Sequence, residues 1–279
     1  LLYSGAIHMA GSIKSRKASR HTVSDWMKLE QERGISVTSS VLQFEYREKA
    51  CNLLDTPGHA DFSEDTYRTL AAVDSAIMLI DHAKGVESRT LKLFDVCRMR
   101  NLPIVTFMNK LDRAGVDPLE LIDEVSSTLN LQVSPINWPI GMGKEFKGVV
   151  NLLNKEVTLY AAEKHGTDIS KVETIPLEQA QAHLTDREWE KLQEDLELIE
   201  GAGEPFDEEA FQRGELSPIF WGSAMTNFGI EPLLNFLADK ASSPKPRTTT
   251  EEELIKPNHP QFTGFIFKIQ ANMKPKHRD

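Results

Sequence analysis

Asp55-Thr56-Pro57-Gly58-His59 ends an apolar stretch with residue types that packing alone does not require. A carboxylate at the end of a strand can hold Mg²⁺ directly or through water, and Pro57 stiffens the turn after it. Gly58 lets the backbone approach a terminal phosphate and donate its N–H, and an imidazole at His59 can orient an attacking water. The group therefore reads as a nucleotide switch, although Asp-x-x-Gly alone also fits a strand, a Pro-Gly turn and a surface histidine. Asn109-Lys110-Leu111-Asp112 offers a second chemistry. Its amide can bond N7 of a purine while its carboxylate accepts from the N1–H and 2-amino group of guanine; adenine presents neither donor there. An Asx turn at the end of a strand is the competing reading.

Three weaker signals accompany these two. Backbone N–H groups of Gly222-Ser223-Ala224, after the apolar Ile219-Phe220-Trp221, could close over a guanine O6. The Ser36 hydroxyl, preceded by Gly34, is placed to reach Mg²⁺ from a loop, but a turn or cap residue would look the same. Lys14, Arg16, Lys17 and Arg20, with serines between them, form a basic loop that is either simply solvated or turned toward RNA.

The elements that must position these residues alternate strand and helix. Val41 to Phe44 leads into a polar hairpin around Arg47 to Lys49, and Asn52-Leu53-Leu54 reads as a short buried strand that sets Asp55 at its carboxyl end. A helix over 61–72, a strand over 73–81, a helix over 88–101 and a strand over 102–108 follow, then a helix over 118–131. In open α/β sheets, ligands bind at the carboxyl ends of the strands, where both motifs fall. Pro139 to Lys144 breaks the pattern; it lacks the second half of a phosphate loop, and Phe146, Val149, Val150, Val157 and Leu159 continue it as short strands. The stretch 170–207 is acidic and reads as mainly helical, with Trp189, Leu192, Leu196 and Ile199 on one face. Residues 219–221 form the last strand and 230–240 the last helix; 242–247 is a linker, and alternation from Gln261 to Gln270 opens a new β unit.

At 279 residues, with 40% hydrophobic and 27% charged residues, the chain suits a globular protein with a sizeable core. A net charge of −10 argues against nucleic-acid binding by the whole surface and leaves room only for a local basic footprint. No apolar run approaches a membrane span and the start lacks the pattern of a signal peptide, so a cytoplasmic location is expected. The two cysteines, Cys51 and Cys97, lack CxxC spacing and are expected in the core.

Taken with Arg33-Gly34-Ile35-Ser36, the three strand-end motifs occur in an order that resembles the translational GTPases over essentially the whole chain. Ser24-Asp25-Trp26-Met27, the run Asp61 to Leu70 and the ending Phe262 to Asp279 look like the bacterial peptide-chain release factor three branch, with the elongation factor G type as the nearest alternative. The resemblance implies an α/β fold: a P-loop-type GTPase domain over 1–245, doubly wound on a mostly parallel sheet, with an inserted α+β subdomain at about 140–216. A linker over 246–259 and the beginning of a β-barrel over 260–279 would follow. It also implies GTP/GDP and Mg²⁺ as cofactors, with Ser36 and Asp55 at the metal and Asp55, Thr56, Pro57, Gly58 and His59 at the phosphates. Asn109, Lys110, Leu111, Asp112, Ser223 and Ala224 would hold the base, and His59 would act in catalysis. The expected partners are the ribosome, through large-subunit rRNA near the switch residues, and indirectly the stop-codon-reading release factors; no membrane is expected. Ser36 stands where the wider family has threonine. No G-x-x-x-x-G-K-[ST] occurs in the 279 residues, so a chain of this composition alone is expected to hydrolyse almost no GTP.

Overall fold

The structure is a computed structural model in which residues 39–56, 63–160 and 172–269 are described. They fall into two compact units: one holds Phe44–Cys51 and Ser75–Ala241, the other the described parts of Ser12–Gln43, Asn52–Asp74 and Ser242–Asp279.

The chain first forms a hairpin of β1 (Ser40–Tyr46) and β2 (Lys49–Asp55). Arg47 and Glu48 between them both take positive φ, 47° and 60°, the backbone that matches the twist of paired strands. Neither residue favours that region, and the tip is anchored in compensation: Tyr46 donates to the Asn235 side chain at 2.7 Å and Arg47 pairs with Asp239 at 3.1 Å. The expected burial of residues 52–54 is not realised, since Asn52 and Leu53 are exposed and only Leu54 is half-buried. Cys51 is likewise half-exposed rather than in the core, its thiol donating to the Lys49 carbonyl.

In the larger unit the expected parallel sheet is present, in the order β3 (Ala76–Asp81), β4 (Ile104–Asn109), β10 (Leu216–Trp221), β5 (Gln132–Pro135). β4 and β10 lie inside the sheet and are buried almost throughout because both faces are covered, and the polar Thr106 and Ser217 within them bond each other at 2.8 Å. Helices α2 (Ser88–Met99), α3 (Pro118–Leu129), α5 (Glu208–Gln212) and α6 (Ile230–Lys240) supply the cover. Phe211 and Phe220 pack edge-on against Phe236 at centroid distances of 5.7 and 5.2 Å, beside the buried Val105, Phe107 and Leu233. Each such side chain contributes about 1.5–3 kcal/mol by leaving water. Cys97 on α2 is buried, which pushes its thiol up to about 11 and marks it as an inert core residue.

A second, antiparallel sheet runs in the order β6 (Asn137–Ile140), β7 (Gly148–Asn151), β8 (Glu156–Tyr160), β9 (Val172–Pro176). The strand β9 departs from the mainly helical expectation for 170–207. Only α4 (Asp186–Ala202) and a short 3₁₀ segment (Leu177–His183) there are helical, because Val172 to Pro176 completes a ladder on β8. Two links tie this sheet to the parallel one. Asn137, wholly buried, accepts from Trp221 N–H at 2.7 Å and donates to Trp221 C=O at 3.1 Å, and the Trp138 and Trp221 rings meet edge to face at 5.7 Å.

In the smaller unit, α1 (Ser63–Leu70) is held through Thr69, whose hydroxyl bonds that of Ser39 at 2.9 Å, and Lys268 donates to the Ser39 carbonyl. Residues of the expected linker form a two-rung ladder, β11 (Arg247–Thr248) with β12 (Leu254–Ile255). The alternation after Gln261 does not produce a strand over 262–269, which has no paired neighbour among the described residues; without a ladder nothing holds a lone segment in a strand.

Candidate functional site

The register of the parallel sheet brings three strand ends to one edge. Asp81 is opposite Asn109, and Trp221 is opposite Met108, so Gly222 follows level with Asn109. Gly222 N–H bonds the Met108 carbonyl at 3.0 Å, and Leu111 N–H bonds the Gly222 carbonyl at 3.2 Å, locking the two loops together as they leave the sheet. A Cβ on Gly222 would sit 2.2 Å from the Phe228 carbonyl and 2.9 Å from the Phe107 ring, so only glycine lets the loops close this tightly.

The expected base-holding residues meet here. The Asn109 side-chain oxygen accepts from Lys110 N–H at 2.8 Å and from Ala224 N–H at 2.9 Å. With its oxygen engaged twice, its amide NH₂ is the group left to donate outward. The Ser223 hydroxyl donates to Asp112 Oδ1 at 2.7 Å, and Arg113 Nε lies 3.8 Å from Asp112 Oδ2. The Asp112 carboxylate is thereby oriented while keeping lone pairs for two further donors. Leu111 is fully buried and anchors the loop from below. An amide donor, a carboxylate acceptor and the backbone of a small-residue loop are thereby brought together at one strand edge.

Lys110 takes φ +74° and stretches its amine to Asp81 Oδ2 at 2.5 Å, while Asp81 Oδ1 accepts from Ala83 N–H at 3.1 Å. Burial alone would push the Asp81 carboxyl up; the bonds from Lys110 and Ala83 outweigh it and hold the group below its ordinary value. His82 is wholly buried beside the same loop, with Nδ1 3.4 Å from the Asn109 carbonyl, and its ring occupies the space where a Cβ on Gly115 would sit, at 2.2 Å. The sequence motifs single out neither Asp81 nor His82. Asp81 ends an apolar strand as Asp55 does, which is the one signal that points to it.

Of the residues expected at the phosphates and the metal, Asp55 and Thr56 lie at the carboxyl end of β2, both half-buried. Ser36, Pro57, Gly58 and His59 lie outside the described residues, as does the basic loop over 14–20. Among the described residues no cluster of three His, Cys, Asp or Glu side chains offers a metal cage. No helix among them is long and apolar enough to cross a membrane.

A mostly parallel sheet that brings an amide and a carboxylate together at its carboxyl edge has the α/β architecture of a GTPase domain. The chain belongs to the family of the elongation factor Tu GTP binding domain, whose model matches residues 1–243. Members of that family in general bind GTP or GDP with Mg²⁺ and are translational GTPases. A crystal structure from Thermus thermophilus is similar at a TM-score of 0.67 and 23% identity, which carries the fold, over 88% of this chain. The chain spans 37% of that protein's length.

Proposed function

We propose that this chain is the GTP-binding part of a ribosome-dependent GTPase of translation termination, which promotes dissociation and recycling of stop-codon release factors. The observation that carries the GTP reading is the joined network of Asn109, Asp112, Ser223 and Ala224. The termination role rests on the likeness of Ser24 to Met27 and Asp61 to Leu70 to the release factor three branch; a role of the elongation factor G kind in translocation or ribosome protection is the alternative. In this reading Asn109 bonds the base at N7, Asp112 accepts from its N1–H and 2-amino group, and the Ser223–Ala224 loop closes over O6. Asp55 and Ser36 would hold Mg²⁺, which supplies charge neutralisation at the phosphates. His59 orients the hydrolytic water, with ribosomal RNA as the stimulating partner. The domain scheme proposed with it is a GTPase domain to residue 245 carrying an insertion at about 140–216, then a linker and a β-barrel.

Two substitutions in the intact parent protein test this. Asp112→Asn should move preference from GTP toward XTP, because charged hydrogen bonds of about 1.5–3 kcal/mol each are at stake. An unchanged GTP to XTP ratio removes the guanine assignment. His59→Ala should spare nucleotide binding and lower ribosome-stimulated turnover by orders of magnitude. Turnover with purified ribosomes carrying a release factor, compared with ribosomes poised for translocation, separates termination from the alternative. A polypeptide limited to these 279 residues should turn over almost no GTP, since backbone cradle, lysine and Mg²⁺-binding hydroxyl of a P-loop are absent from its sequence.

A further inference from the structure

Both base-holding loops are tied down from the antiparallel sheet rather than from the parallel sheet alone. Gly143, in the short turn between β6 and β7, donates its N–H to the Leu111 carbonyl at 2.8 Å. It does so at φ +62°, with the space for a Cβ bounded by Ala114 N at 3.1 Å and the Arg113 carbonyl carbon at 3.3 Å. At the other loop, Tyr160 at the end of β8 accepts the Gly229 N–H on its hydroxyl at 2.9 Å. Gly229 is buried at φ +71° and closes the loop that Ser223 and Phe228 bridge by two backbone bonds of 2.9 and 3.1 Å. The Tyr160 ring stacks on Phe228 at 4.5 Å, and Phe146 stacks on both at 6.1 and 5.5 Å.

We infer that Tyr160 and Gly143 are positioning residues for base recognition: the antiparallel sheet holds the 109–114 and 222–229 segments in the arrangement that aims Asn109, Asp112 and Ala224. The physical reason is local. The Ser223–Phe228 bridge and the Ser223 and Ala224 bonds to the first segment fix the start of the second segment, and the buried Gly229 N–H at its end is satisfied by the Tyr160 hydroxyl. Removing that oxygen leaves a buried donor without its acceptor, and the inexpensive escape is for the segment to open. The first segment is coupled to it through Ser223–Asp112 and Ala224–Asn109, so loosening one unfixes the other. Nucleotide affinity would thus answer to anything that displaces the Phe146, Tyr160 and Phe228 stack. The functional meaning rests on the guanine reading above, whereas the clamp itself does not.

Hydrogen exchange with mass-spectrometric readout on the full chain tests the clamp. Tyr160→Phe keeps the ring stack and should speed exchange about tenfold in peptides spanning 222–229, with β7, β8 and β4 unchanged. Gly143→Ala should do the same for 109–114. A merely structural role for Tyr160 would instead raise exchange along all of β7 and β8 in step with a fall in the unfolding midpoint; that pattern, or unchanged exchange in both loops, overturns the proposal. Titration with GMP, followed by the amide resonances of Ser223 and Ala224, adds the base. GMP affinity reduced severalfold by Tyr160→Phe supports the positioning role, and unaltered affinity despite faster loop exchange overturns it. If GMP leaves those resonances of the wild-type chain unmoved while the local exchange effect holds, the guanine reading falls and the clamp stands.

Discussion

Asn137 and Asp81 show how single side chains carry the site without touching a ligand. Asn137 satisfies both backbone groups of Trp221 inside a buried interface, so Asn137→Ala strands a buried N–H and a buried C=O together. At about 1–3 kcal/mol for each orphaned group, the loss should be roughly 2–5 kcal/mol by urea denaturation. A loss under about 1 kcal/mol would mean that water replaces the amide. Asp81 gives a pH prediction. Its carboxyl is held below the ordinary value near 4, so its contribution is present above that pH and disappears as pH falls through the lowered folded value. Because the Lys110 side chain is 41% exposed, solvent screens the pair and Asp81→Asn should cost under about 1 kcal/mol at pH 7. That difference should shrink toward zero as pH falls through the lowered folded value; a cost that grew on acidification would contradict the sign. These residues also mark what the sequence made legible. Asn109, Asp112, Ser223 and Ala224 announce themselves because amide, carboxylate and small-residue loop are chemistry at a fixed spacing. Asn137 and Tyr160 act on partners 84 and 69 residues away, and nothing local distinguishes them from an ordinary strand Asn or a packed aromatic.

Among the elements, α4 is the clearest case of a sequence dictating its own ends. Thr185 accepts from Glu188 N–H, and the Glu188 carboxylate reaches back to Thr185 N–H at 2.8 Å, a complete capping box. Lys147 from the antiparallel sheet joins at 2.7 Å. Burial alone would push Glu188 up, but the bonds from Lys147 and Thr185 hold it low, so the cap is fully formed at neutral pH and weakens in acid. Thr185→Ala should cost about 1 kcal/mol in thermal unfolding, and Thr185→Ser much less; equal losses would show that the methyl group matters rather than the hydroxyl. Helical stretches such as α2, α3, α4 and α6 were legible because their apolar spacing is local. β9 was not, since five residues flanked by acidic sequence become a strand only when β8 offers a ladder. The alternating run after Gln261 is the converse: a strand pattern without a partner stays irregular.

At the scale of the whole molecule, β3 differs from the inner strands of the parallel sheet. Strands of a parallel sheet are ordinarily buried on both faces, yet β3, one of the sheet's two edges among the described residues, turns Ile77 and Leu79 outward at 37% and 61% exposure. An open, apolar edge of this kind is a template for pairing with another chain. The sequence run over 76–81 reads as a core strand, so its apolar character was legible and its exposure was not; burial depends on neighbours that no local pattern names. Substitution separates the two states of this edge by magnitude. With Leu79 exposed, Leu79→Thr puts a β-branched residue on the strand and should change unfolding free energy by less than about 1 kcal/mol. The same substitution should raise the concentration at which the 279-residue chain begins to self-associate, measured by light scattering. A leucine covered in solution would behave as a core residue, and shortening it while adding a hydroxyl would then cost roughly 2–5 kcal/mol. A loss of that size with unchanged scattering would show that β3 is covered in solution rather than an open edge.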